Sequence, residues 1–160
     1  MIILLIGKNG QIGWELQRTI SSLGTIVALG RDEMDLTDEK AIRETVRNVK
    51  PDLIINAAAY TAVDEAEEEP ELAMAINGIA PCVLAEEASK LQAAIIHYST
   101  DYVFDGGNIN PYKESDRPSP VNHYGKSKLS GEHAILNIKT PHLILRTSWI
   151  YGARGKNFLL

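Results

Sequence analysis

The sequence predicts an α/β fold, a doubly wound parallel sheet, and three observations carry that expectation. Short apolar runs rich in β-branched residues alternate with stretches of helical spacing, the pattern of βαβ units. A glycine-rich turn, Gly7-Lys-Asn-Gly10-Gln-Ile-Gly13, joins the first run to the first helix. The chain of 160 residues is long enough for one domain with its own core, so a single unit over 1–160 is expected.

Ile2–Ile6 is continuously apolar and bounded by Gly7, which suits a strand covered on both faces. Ile12, Leu16 and Ile20 recur at helical spacing, so Gln11–Leu23 is predicted helical, with Gly24 as its stop. Thr25–Leu29 is a second strand. Asp38–Val49 is a helix with Thr37 as its N-cap and Pro51 beyond its end. Asp52–Asn56 is a third strand, Glu71–Leu91 a long helix with an apolar face, and Ala93–Tyr98 a fourth strand. Gly106–Pro120, rich in Gly, Pro, Asn and Asp, reads as a loop. Tyr124–Asn137 is a helix and His142–Arg146 a fifth strand. Right-handed crossovers then wind a sheet expected in the order 3-2-1-4-5, with ligands collecting at a switch point between strands one and four. The acidic stretch Asp64–Glu71 reads as a solvated helix start. Asn157-Phe-Leu-Leu resembles the opening of another helix, so the chain is expected to stop partway through a larger protein, before a substrate-binding lobe.

Composition narrows the function class. A net charge of −5, with lysines and arginines scattered, argues against a nucleic-acid surface. The single cysteine, Cys82, excludes an intrachain disulfide and suits a reducing compartment. Its apolar helical setting reads as core filler, not a nucleophile. The run Met1–Ile6 is too short for a signal peptide or a membrane span, so a cytoplasmic protein without membrane contact is expected.

Three stretches carry chemistry. The glycine turn follows a strand and opens a helix, where the backbone can approach a pyrophosphate and unpaired N–H groups with a positive dipole end await it. Its spacing is G-x-x-G-x-x-G, not the usual G-x-G-x-x-G, and a tight turn without a ligand also fits. No Gly-Lys-Ser/Thr follows, which disfavours a P-loop. The second strand is followed by Gly30 and Arg31, where an acid would favour NAD, so the arginine leans toward NADPH. A surface arginine in a loop fits equally, and Asp35 lies just downstream for a ribose or adenine contact. The third stretch is Tyr124-Gly-Lys-Ser-Lys128: a phenol and an ammonium one turn apart share a helix face, so the charge can stabilise a phenolate. Alone, such a pair is common on solvated helices. Tyr98-Ser-Thr100-Asp101 closes the fourth strand, where a hydroxyl can meet a substrate carbonyl or serve as a cap. Asn77, inside the long helix, can bind backbone or water near the lysine or lie on the surface. The four histidines match no zinc spacing and are read as core or surface residues.

Together with Asn56-Ala-Ala-Ala-Tyr-Thr-Ala-Val-Asp, His97-Tyr-Ser-Thr-Asp-Tyr-Val-Phe and Arg146-Thr-Ser-Trp-Ile-Tyr, these motifs resemble the dTDP-4-dehydrorhamnose reductase family of extended short-chain dehydrogenases/reductases. The resemblance runs over essentially the whole chain and implies a Rossmann-like dinucleotide-binding domain. It implies reduction of the C4 keto group of dTDP-6-deoxy-L-lyxo-4-hexulose to dTDP-L-rhamnose with NADPH or NADH. Thr100, Tyr124 and Lys128 would be the catalytic trio. Gly7, Asn9, Gly10, Gln11, Ile12 and Gly13 would face the pyrophosphate. Arg31, Asp35 and Leu36 would lie near the adenosine, and Ala59, Tyr60, Thr61, Tyr98, Tyr124 and Lys128 along the cofactor. Asp101 and Trp149, with Thr100, would contact the sugar. Some members dimerise through magnesium held by glutamates, and Glu15 stands at one such position, so a homodimer is a further implication. The rival from another class is a non-catalytic dinucleotide-binding subunit resembling the regulatory subunit of methionine adenosyltransferase. An epimerase or dehydratase is a second rival, and Asp101-Tyr102 in place of an Asp-Glu pair disfavours the dehydratase.

Overall fold

A computed structural model describes residues 1–152 and Asn157. Its sheet is built from β1 (Ile2–Ile6), β2 (Thr25–Leu29), β3 (Leu53–Asn56), β4 (Ala94–Thr100) and β5 (His142–Thr147). All four neighbouring pairs are parallel and the order is β2-β1-β3-β4-β5. The expected order 3-2-1-4-5 is therefore corrected. After β2 the chain crosses over β1 and lays β3 against its far edge, so Ile6 is in register with both Leu29 and Asn56. The switch point consequently falls between β1 and β3, not beside strand four.

The helices are α1 (Gln11–Thr19), α2 (Glu39–Val49), α3 (Glu65–Glu68), α4 (Pro70–Met74), α5 (Ala80–Leu91) and α6 (His123–Asn137). Only the β1–β2 connection moves toward one edge. Right-handed crossovers therefore put α1 on one face and α2, α5 and α6 on the other. The cores follow: Ile3, Leu5 and Ile55 pack with Leu16 of α1 and with Ile20, its C-cap. Leu4, Ile6, Ile54 and Ile95 pack with Ile42 and Val46 of α2, Leu84 and Ala88 of α5, and Ile135 of α6. Alternate residues of one strand thus serve opposite cores, which is why β1 reads as an unbroken apolar run.

Four local expectations shift. The first helix ends at Thr19, and a 3₁₀ turn spans Ser21–Leu23. The N-cap of α2 is Asp38, not Thr37, because the Asp38 carboxylate accepts from the Ala41 N–H at 3.0 Å. The long helix is continuous but widens into a π turn at Ala75–Ile79, between α4 and α5. Cys82 is only partly buried on α5, so it is not core filler; burial still pushes its thiol up, away from the reactive thiolate.

Candidate active site

The first turn is shaped by steric necessity at two glycines. Gly7 has φ +90, and a Cβ there would lie 2.7 Å from the Ala58 nitrogen, because the ends of β1 and β3 meet at the switch point. A Cβ on Gly13 would lie 2.1 Å from the Gly7 carbonyl oxygen, so α1 can dock on the turn only with glycine at that position. Gly10 differs. Its backbone is ordinary extended (φ −73, ψ 165), and a Cβ would meet nothing closer than 3.4 Å. The fold does not need glycine there. Gly10 is also the N-cap of α1 and places no side chain over the helix N–H groups, which stay open to the cleft. A cradle left clear of side chains at a helix N-terminus fits a pyrophosphate.

A cleft of about 900 Å³ runs across the C-terminal ends of β1 to β4. Gly7, Asn9, Gly10, Gln11 and Ile12 line it at the switch point. Arg31, Asp35 and Leu36 line it beyond β2; Ala59, Tyr60 and Thr61 line it beyond β3. Thr100, Asp101, Tyr124 and Trp149 complete the wall. Four expected residues lie elsewhere. Gly13 is buried against the turn; Lys128 is buried beneath the wall at 1% exposure. Tyr98 turns its ring to the α1 side, where it borders a smaller recess with Glu15. Glu15 itself pairs with Arg18 at 2.7 Å. Among the described residues no group of three or more His, Cys, Asp or Glu side chains is arranged to hold a metal.

The end of β2 does carry an acid, three residues later than expected. Glu33 reaches back so that its carboxylate accepts from the Gly30 N–H at 2.8 Å, and it is ion-paired with Lys8. Those contacts hold its carboxyl below the usual range. Asp35 is likewise held low, by the Thr37 N–H and hydroxyl.

The residues expected to handle a proton, Thr100, Tyr124 and Lys128, sit on α6 and at the end of β4. Asn122 caps α6 through the Gly125 N–H at 2.7 Å and so fixes the first turn, which carries Tyr124. Tyr124 packs edge-on against Tyr102 with ring centroids 5.6 Å apart. Its phenol is pushed up, chiefly by burial and also by the Asp101 charge, while a hydrogen bond with Thr100 pulls the other way. The expected lowering by Lys128 is not what this arrangement produces. Lys128 turns its Nζ to donate to the Tyr98 carbonyl at 2.6 Å, with the His97 ring 3.4 Å away. Burial pulls the lysine down to about 8, against the opposing Glu132 charge.

Asn77, singled out from the sequence, lies in the π turn and is buried, which decides between its two readings. Its Oδ1 accepts from the Tyr60 N–H at 2.9 Å, and its Nδ2 donates to the Tyr60 carbonyl and to Ser127 Oγ. It thereby ties the cleft loop after β3 to α6. Glu132 receives a bidentate Arg146 guanidinium and the Ser99 hydroxyl, locking α6 to β4 and β5. Asn56 and His97, paired across β3 and β4, are fully buried. The available signal was a polar residue inside an apolar strand, and it does not say which partner satisfies it.

Comparison with known proteins accords with this geometry. The model of the RmlD substrate binding domain matches residues 1–160. A dTDP-4-dehydrorhamnose reductase of Burkholderia thailandensis is 50% identical over 99% of this chain and 53% of its own length. The Salmonella typhimurium protein of the same name is 49% identical over 99% of this chain and 54% of its own length. The crystal structure of the Bacillus anthracis reductase in complex with NADP superposes with a TM-score of 0.94, at 36% identity, covering 99% of this chain and 57% of that one. The chain thus spans about half the length of the relatives it matches. With the parallel sheet, the glycine cradle and the buried Thr–Tyr–Lys set in place, the chain belongs to the RmlD substrate-binding-domain family.

Proposed function

We propose that this chain carries the dinucleotide-binding and proton-donating part of a nicotinamide-dependent reductase. Its substrate would be a dTDP-linked 4-keto-6-deoxy sugar, reduced at C4. The observation that carries the reading is Gly10: the fold leaves it free to be any residue, yet a side chain there would fill the cradle at the start of α1. A bound nicotinamide supplies hydride in such chemistry. Asn9, Gly10, Gln11 and Ile12 would hold the pyrophosphate, and Asp35 with Leu36 the adenosine side. Arg31 and Lys8 offer cations for a ribose phosphate, while Glu33 offers a carboxylate for a ribose hydroxyl. That pairing suits use of both NADPH and NADH.

Tyr124 then donates a proton to the C4 oxygen as negative charge develops there. Its raised pKa keeps that proton in place at neutral pH. Thr100 stands beside the phenol and would orient it, its hydroxyl at rest donating to the Asp101 carboxylate at 3.2 Å. Asp101, exposed at the rim, and Trp149, 72% exposed, are the residues that would touch the sugar. A reducing, cytoplasmic setting suits the free thiol of Cys82. A homodimer linked by magnesium through Glu15 rests on family resemblance alone and would have to displace the Arg18 pair. The test is NADPH oxidation in the presence of the 4-keto sugar nucleotide. Turnover that needs both components supports the reading; oxidation unchanged by the sugar contradicts it.

A further inference from the structure

His97 is fully buried on β4, on the face that packs against α6, and both ring nitrogens have partners. A chain of hydrogen bonds fixes which nitrogen carries the proton. The Ala58 N–H donates to Asn56 Oδ1 at 3.2 Å, so the Asn56 amide is oriented with Nδ2 toward the histidine. Asn56 Nδ2 lies 3.2 Å from His97 Nδ1 and can only donate, so Nδ1 must be the bare acceptor. A neutral imidazole with a bare Nδ1 carries its proton on Nε2. That N–H points at Lys128 Nζ, 3.4 Å away.

An ammonium has three donors and no lone pair, so it would face the Nε2–H donor to donor. An amine resolves the clash. It accepts from Nε2–H and still donates to the Tyr98 carbonyl at 2.6 Å. We propose that His97 is a positioning residue for Lys128: locked by Asn56 as the Nε2–H tautomer, it presents a donor to the lysine nitrogen and favours the form that accepts as well as donates a hydrogen bond. Lys128 is thereby a weaker base than an ordinary lysine, and its charge is set by the tautomer of the neighbouring imidazole.

Other charges near the pair do not undo this. From β4 come His97 and the Tyr98 carbonyl; from β3 comes Asn56, behind the histidine; from α6 come Tyr124 and Glu132. Glu132 favours the lysine cation, but its carboxylate is already taken by Arg146 of β5 and by Ser99. The low values of both Lys128 and His97, each set first by burial, agree with this polarity.

The bearing on catalysis rests on the reductase reading, whereas the test does not, so the two can fail separately. In protein labelled with ¹⁵N-histidine, long-range ¹H–¹⁵N correlation reads the tautomer directly. His97 is expected with a protonated Nε2 and a bare Nδ1, unchanged between about pH 5 and about pH 9. An Nδ1–H tautomer or an imidazolium overturns the proposal. The second arm follows the Lys128 ¹³Cε signal through a pH titration in wild type and in His97→Gln. The glutamine carbonyl can face the ammonium, so the midpoint should rise by about one pH unit, a tenfold gain in proton affinity. A midpoint that is unchanged or falls overturns the proposal, and if His97→Gln does not fold, the wild-type tautomer decides.

Discussion

At Tyr124, burial and the Asp101 carboxylate raise the phenol, and the Thr100 hydrogen bond opposes them. The net upward direction favours an acid over a base at neutral pH. Under the proposed function, carbonyl reduction should therefore hold its rate through neutrality and fall only on the alkaline side. Tyr124→Phe should lower turnover by roughly 10²–10⁴-fold with little change in KM, the scale of a lost general acid. A rate within a few-fold of wild type would place the donor elsewhere. Lys128 yields a second prediction, on stability. Its folded value, about 8, lies below the ordinary 10.5, so the folded state sheds its proton first as pH rises. Its contribution to stability is full above the unfolded value and is lost as pH falls toward 8. Relative to Lys128→Met, wild type should gain up to about 3 kcal/mol across that window in urea unfolding. Parallel pH dependences for the two proteins would contradict a buried, strained lysine.

Among the elements, α2 and α5 are joined by charge as well as by the core. The buried Glu87 of α5 receives Arg47 at 2.7 and 2.9 Å, Arg43 at 3.1 Å and Lys90 at 2.7 Å. These contacts lower its carboxyl to about 2, Arg47 contributing most. A depressed carboxylate stabilises the fold above its ordinary value of 4.5 and loses that contribution as pH falls toward 2. Glu87→Gln should therefore cost about 1–3 kcal/mol at neutral pH, with the gap to wild type closing in acid. A gap that persists in acid would mean that shape, not charge, makes the joint. The π turn between α4 and α5 is the other functional joint: it accommodates Asn77, whose amide replaces sheet partners for Tyr60 in the cleft loop. Periodicity marks this stretch as helical, but a one-residue widening leaves no mark in the apolar pattern.

For the whole molecule, strand and helix identities were legible because each strand serves two cores and reads as an apolar run. β1 and β2 match the expected limits, Ile2–Ile6 and Thr25–Leu29. The strand order was not legible, since alternating elements are common to both doubly wound arrangements and only the direction of the crossover after β2 separates them. A hint lay in β3, whose Ile54, Ile55 and Asn56 are all buried, as befits a central strand and not an edge. The cleft residues were readable where a motif marks them, as at Gly7–Gly13 and Tyr124–Lys128. Glu33, His97, Glu132 and Arg146 were not, because their partners lie 25, 31, 33 and 14 residues away respectively and meet only once the sheet is wound.

Everything proposed for the cleft depends on a dinucleotide lying over the start of α1, and Gly10 permits the most direct check. Gly10→Asp puts a favoured N-cap on α1 while placing a carboxylate in the path of a pyrophosphate. Calorimetric titration of wild type and Gly10→Asp with NADPH, beside a thermal melt of each, separates fold from ligand. The expected result is one dinucleotide bound per wild-type chain, an affinity at least about tenfold weaker in the variant, a difference of about 1.4 kcal/mol or more, and a melting point no lower than wild type. Equal affinity in the two proteins, or no binding to folded wild type, would contradict the dinucleotide reading of the glycine turn.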